Sequence, residues 1–482
     1  MMGALTSAIR AEAVRTKGSA AAALPWVGII LAGISTAGIV ITPESQERAA
    51  LLWQTLYVTG MAAPLMTLLA GLTTVRETTA RDGGTLWRAT SPRTIIVARF
   101  IVLAGLSALF HALAFWLVIP LSLAVGAPTD IPRLLWAGLA CWVATLGLLA
   151  LAFVLTERWG TIPVFLAAWV WQVIGALAAE TTAWFAIPPT WAVRAMLPVL
   201  GAHQNAEPLA AGDPLATESP ALALTLSVLL TALVLVLRVL LPGTLRMERG
   251  TDSRPVGRRS TRESAVGAIR AVMRSRAVMP LCAAAILLAV ATAAIYPNSY
   301  LLGLHTYAML PLGACVIAVL TWQAVLPGWR VLILRKAAVP AAVQAWLLLW
   351  VSVVSVAVTV TALANAVLRG HGDAASLLAI TQSGMLWLIL GIAGTLGALW
   401  LTVRFGAGWA LGAAVILTII GVTLGGDILA DTWLWILGPT AWPLSADTPQ
   451  RFLVAALVSS AFAVLTWLLS TRAMRNTPAR AA

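Results

Sequence analysis

The chain has 482 residues, of which 60% are hydrophobic and only 10% charged, with a mean hydropathy of +0.92. A soluble globular protein carries about a quarter charged residues, so this balance excludes an ordinary water-soluble fold. The net charge of +13 lies in short polar stretches beside apolar runs. That pattern matches membrane topology and anionic lipid head groups, and no nucleic-acid partner is expected.

The first twenty residues, MMGALTSAIRAEAVRTKGSA, are too polar and too long for a cleaved signal peptide. About 20 apolar residues cross the hydrocarbon as a helix. On that measure spans fall near 25–42, 53–75, 100–126, 134–155, 161–179, 220–241, 278–296, 303–326, 341–367, 377–402, 407–425 and 452–471. Twelve spans put both termini on one side. The segments on that side hold 26 of the 31 basic residues, which places the termini in the cytoplasm. Many of the 22 tryptophans lie near span ends, where indole favours the interface.

Residues 246–262, RMERGTDSRPVGRRSTR, are basic, polar and broken by Gly and Pro, as a linker is. They separate a first six-span half, 1–245, from a second, 263–482. Each half opens with Ala-Ile-Arg-Ala, at Ala8–Ala11 and Ala268–Ala271, followed by two more basic residues and by Pro25 or Pro280. Basic residues at near-helical spacing beside Ala, Ile and Val predict a short amphipathic interfacial helix before each half. The expected fold is therefore an all-α membrane protein, with about twelve transmembrane helices in two parallel six-helix repeats. Pro-Thr followed by Trp recurs in the last external loop of each half, at Pro189-Thr190-Trp191 and Pro439-Thr440-Ala441-Trp442. Hydrophobic, proline-broken segments there predict short helices dipping back into the outer leaflet.

Cys141, Cys282 and Cys315 fall inside apolar runs without metal-ligand spacing and read as small hydrophobes. The mid-span polar residues His111, Gln172, Gln323, Gln344 and Gln382, with His305 near an outer end, read as hydrogen-bonded packing residues.

Between the second and third spans, Arg76 to Arg99 carries both charge signs on a short loop. Glu77, Arg81, Asp82, Arg88 and Arg93 supply the charge, Leu86 and Trp87 an apolar knob, and Pro92 a fixed bend. An acid, Gly84-Thr85, a short amphipathic turn and Ser91-Pro92-Arg93 resemble the type-2 ATP-binding-cassette exporter permeases. The six-span halves, the interfacial opening helix and the hydrophobic external loop resemble the same family. In that family this loop is the coupling helix that docks on the ATPase. The equivalent loop of the second half keeps Trp329, Arg330, Arg335, Lys336 and Pro340 but has no acid.

The resemblance implies a non-catalytic permease subunit in a bacterial plasma membrane. It implies efflux of amphipathic or hydrophobic cargo such as a drug, antimicrobial peptide, lipid or porphyrin. ATP and Mg would bind a separate ATPase, in two copies. A phosphate-binding loop needs Gly-Lys-Ser/Thr, and the only lysines, Lys17 and Lys336, precede Gly and Ala. No cofactor or metal is expected on this chain. Two alternatives stay open: a major-facilitator secondary transporter, with Arg81-Asp82-Gly83-Gly84 as an incomplete signature, and a membrane-embedded glycosyl or lipid transferase using Glu44 and Glu47.

Overall fold

The computed structural model describes residues 2–41, 46–81, 91–127, 130–240, 277–326, 338–425 and 432–477, with Trp329 and Ile333. The chain divides into two compact units, Met1–Thr251 and Asp252–Ala482. Among the described residues eleven helices are long and apolar enough to cross a membrane. Ala50–Gly60 with Ala62–Thr74, bent by 61°, makes a twelfth as a pair.

The first unit begins with α1 (Met2–Thr16), which buries Glu12 and Thr16 and packs on the third span. Glu12 pairs with Arg15 at 2.9 Å. The second opening segment, at 263–276, lies outside the described residues. The spans follow as α2 (Ala20–Val40), the pair α3 (Gln46–Gly60) and α4 (Ala62–Arg81), α5 (Pro92–Ala124), α6 (Ile131–Trp159), α7 (Thr161–Ala178) and α9 (Ala221–Leu240). A shorter apolar helix, α8 (Thr190–Leu200), precedes α9. Within this unit α6 is central: it packs on α4, α5, α7, α8 and α9.

The second unit holds α10 (Val278–Ile295), α11 (Asn298–Val325), α12 (Val339–Leu368), α13 (Ala374–Phe405), α14 (Ala407–Leu424) and α15 (Pro449–Asn476). Here α13 is central, packing on α11, α12, α14 and α15. A 3-10 turn at Pro439–Ala441 and the short helix Trp442–Ser445 lie before α15.

Many outward positions are apolar. On α9, Leu229, Leu233, Val236 and Leu237 are exposed along one helical stripe, and Leu453, Leu457, Leu465 and Leu468 are exposed on α15. A stripe of this kind is a liability in water and a fit to hydrocarbon. The chain is thus a multi-pass helical membrane protein. All three cysteines are free and buried.

One turn is used twice. Leu155-Thr156-Glu157-Arg158-Trp159-Gly160 ends α6, and Leu401-Thr402-Val403-Arg404-Phe405-Gly406 ends α13. Gly160 has φ 86° and Gly406 φ 100°, where a side chain would be strained. Each glycine donates its N–H to the threonine carbonyl four residues back, at 3.0 Å. The chain then re-enters as the next span with no loop between.

Candidate functional site

The second span of each unit is interrupted, and polar side chains gather at both interruptions. In the first unit the cause is Pro64. It has no N–H for the Gly60 carbonyl, and its ring would clash there, so the helix breaks between Gly60 and Ala62. The break opens the bond that Ala63 would make to Thr59. Gln172 of α7 fills that gap from both sides. Its Oε1 accepts the Ala63 N–H at 2.8 Å, and its Nε2 donates to Thr59 O at 2.7 Å and Val58 O at 3.0 Å. Non-helical backbone inside a span survives only with such partners.

A second distortion lies opposite. Residues Ala112–Trp116 of α5 form one π-helical turn, a feature common at functional sites. Gln54 of α3 donates to the Ala114 carbonyl inside it at 2.7 Å. The Tyr57 hydroxyl and His111 Nε2 are 3.0 Å apart, and His111 Nδ1 is 2.8 Å from Ser107 O. With one ring nitrogen on a carbonyl, the tautomer that donates there leaves Nε2 to accept from the Tyr57 hydroxyl. Phe110 and Phe115 pack on the Tyr57 ring, sealing the pair.

In the second unit a π-helical turn, His305–Met309, interrupts α11, just before Pro311. The Trp387 indole donates to the Thr306 hydroxyl at 2.9 Å, and the His305 ring meets Trp387 edge-on at 4.7 Å. The Tyr307 hydroxyl donates to Gly425 O at 3.1 Å, tying the turn to the end of α14. Both ring nitrogens of His305 are buried without a hydrogen-bond partner among the described residues. The hydrogen-bonded role expected of the mid-span polar residues therefore holds for His111, Gln172 and Gln344 and fails for His305. Gln344 donates to Ser470 Oγ at 2.9 Å and Thr471 Oγ1 at 2.8 Å, and accepts from Trp467 Nε1 at 2.7 Å. Gln323 is exposed and Gln382 half-buried.

The segments before the last span of each unit pack beside the interruptions. Pro189 sets its carbonyl against Gly175 of α7, where a Cβ would sit within 2.4 Å of that oxygen. Thr440 occupies the same kind of seat on Gly421 of α14 and donates its hydroxyl to Leu417 O at 2.9 Å. The first segment is further held by polar clasps. Arg133 donates to Val199 O at 2.7 Å and Pro198 O at 3.2 Å, and Arg194 pairs with Glu218 while donating to Ala179 O at 3.1 Å. His203 stands between Glu180 at 3.1 Å and Asp213 at 3.3 Å.

The loop residues named from the sequence are placed as follows. Pro92 and Arg93 are exposed in the first turn of α5. The backbone of α4 runs through Glu77 to Arg81, but their side chains, and Asp82, Leu86, Trp87 and Arg88 entirely, lie outside the described residues. Arg330, Arg335 and Lys336 also lie outside them. Trp329 is buried: it donates to Met474 O at 3.1 Å and meets Trp322 at 4.9 Å, so its ring faces inward. Pro340 is buried in the first turn of α12. Glu44 lies outside the described residues, as does the side chain of Glu47.

The sequence reading missed the interruptions, the Gln172 bridge and the doubled turn. Pro64 and Pro311 inside otherwise continuous apolar runs were the available signal for the first, and the Leu-Thr-x-Arg-aromatic-Gly hexapeptide for the last. No family model, curated protein or solved structure matches the chain.

Proposed function

We propose that this chain is the membrane-spanning permease subunit of an ATP-driven exporter, built as two parallel six-helix repeats and working with a separate ATPase. The observation that supports it most is the recurrence of one plan in both units. In each, the fourth span packs on the second, third, fifth and sixth. In each, the second span departs from a regular α-helix (a 61° break in the first unit, a π-helical turn in the second), the fourth turns into the fifth on a positive-φ glycine, and a Pro-Thr segment seats on a glycine of the fifth. The offset from Gly160 to Gly406 equals that from Gly175 to Gly421, which is consistent with a fused duplication. Interrupted spans are the usual place for a transport site.

On this reading the loop from Arg76 to Arg99 meets the ATPase, and nucleotide-driven movement of that partner biases the permease between inward- and outward-open states. Both termini and the coupling loops face the cytoplasm, by the charge asymmetry. Purification of the solubilised chain with the ATPase encoded beside it should give a complex. Glu77→Arg with Arg88→Glu should abolish stimulation of ATP hydrolysis while leaving the chain folded. Failure to recruit any ATPase sinks the proposal.

A secondary transporter is the second reading. It draws on the Tyr57–His111 pair and on His305, ionisable groups inside spans of the kind ion coupling uses. Uptake into proteoliposomes driven by a proton gradient, without ATPase and lost in His111→Ala, would favour it.

A further inference from the structure

The first unit holds a buried charge cluster that none of the above uses. Arg99 of α5 and Arg238 of α9 share the single carboxylate of Glu157, at the end of α6. Arg99 Nη1 donates to Oε1 at 2.7 Å; Arg238 Nη2 and Nε donate to Oε2 at 2.8 and 3.1 Å. Two guanidinium groups on one carboxylate leave the cluster at +1. Arg99 is 6% exposed, with one face over the Phe153 ring at 5.2 Å. Its Nε and Nη2, and Nη1 of Arg238, are buried without an acceptor among the described residues.

A buried guanidinium N–H without an acceptor is costly, and more so with uncompensated charge. Among the described residues the cluster is therefore short of one anion that accepts several N–H groups. Guanidinium geometry suits a phosphate oxyanion, which takes paired N–H bonds. Position points to the source. The cluster joins the second turn of α5 to the last turns of α6 and α9, next in sequence to the basic stretches at 76–99 and 238–262. Arg238 is flanked by the exposed Leu237 and Leu240. An acyl chain along that stripe would bring its phosphodiester to the arginines. Val403 stands in the second unit where Glu157 stands in the first, and the equivalent tie there is the neutral Gln344 network. Among the described residues the feature belongs to the first unit alone.

We propose that Arg99 and Arg238 form a binding site for the phosphate head group of an anionic lipid. The test is native mass spectrometry of the full-length detergent-solubilised chain, titrated with phosphatidylglycerol or phosphatidylcholine. Phosphatidylglycerol should be retained in preference. Arg99→Gln with Arg238→Gln should weaken its retention roughly thirtyfold, at about 1 kcal/mol per arginine near an anionic head group. Glu157→Gln should strengthen it by raising the cluster to +2, so the proposal survives a double variant that fails to fold. Displacement of the lipid by inorganic phosphate would keep the anion site and assign its occupant to free phosphate. Equal retention of the two lipids, or phosphatidylglycerol retention unmoved by all three substitutions, overturns it.

Discussion

Gln172 stands in for a missing helical hydrogen bond: its carboxamide spans the gap between the Ala63 N–H and the Thr59 carbonyl, at 2.8 and 2.7 Å. Gln172 locks the bent second span to the fifth at the break, while Thr161 Oγ1 donates to Gly71 O at 3.2 Å at the other end of the contact. This makes Gln172 a structural hinge pin for whatever movement the break permits.

Gln172→Leu has nearly the same volume but no polar atoms. It leaves Ala63 N–H and two carbonyls facing hydrocarbon. Bonds of this kind average about 0.6 kcal/mol inside membranes, while an unsatisfied buried group costs about 1–3 kcal/mol. The unpaired groups dominate, so a loss of about 2 kcal/mol is expected, read as a lower midpoint in thermal or denaturant unfolding in detergent. A companion Pro64→Ala should recover part of it, because an unbroken helix closes its own bonds. Absence of any recovery would show that the break is imposed by tertiary packing and not by Pro64.

Gly421 has no room for a side chain beside Thr440. Gly421→Val should push the Pro439–Trp442 segment off its seat and cost about 1–3 kcal/mol, as overpacking does. Gly412, on the same helix with open space around its Cβ position, is the control: Gly412→Ala should be neutral or mildly stabilising. Protease sensitivity around Trp442 reports the displacement directly. Equal sensitivity in both variants would mean that the seat does not hold the segment.

Asp373 is the N-cap of α13. Hydrogen bonds from the Ser376 hydroxyl, at 2.7 Å, and the Ser376 amide, at 2.9 Å, hold its carboxyl below the usual carboxylate range. A depressed folded-state pKa means stability present above the unfolded value of about 3.9 and lost as pH falls through the folded one. The difference in melting temperature between the natural chain and Asp373→Asn should therefore be constant near neutral pH and shrink below about pH 4. A difference that grows in acid contradicts the cap.

Much of the architecture was legible in the residues. Spans are long-wavelength features of hydropathy, and a bilayer tolerates no lipid-exposed loops in its core, so most span centres were found within a few residues. Recurrent Pro-Thr-Trp segments were also visible. The glycines that receive them were not, because Gly175 and Gly421 look like any other glycine in an apolar run. Pro64 and Pro311 could be read as interruptions, but their partners could not: Gln172 lies over a hundred residues from the backbone it repairs. Composition likewise gave no reason to separate His305 from His111.

Composition and charge order by themselves determined that this chain lives in a bilayer as many helices, since burial in hydrocarbon and the sidedness of arginine are local properties of each segment. Only the tertiary structure decided which polar groups are satisfied. Gln172 and Gln344 find backbone and hydroxyl partners, Arg99 and Arg238 share Glu157, and His305 finds none among the described residues. Those outcomes depend on which helices become neighbours, and helix pairing in a membrane turns on close packing between segments whose hydropathy is nearly the same.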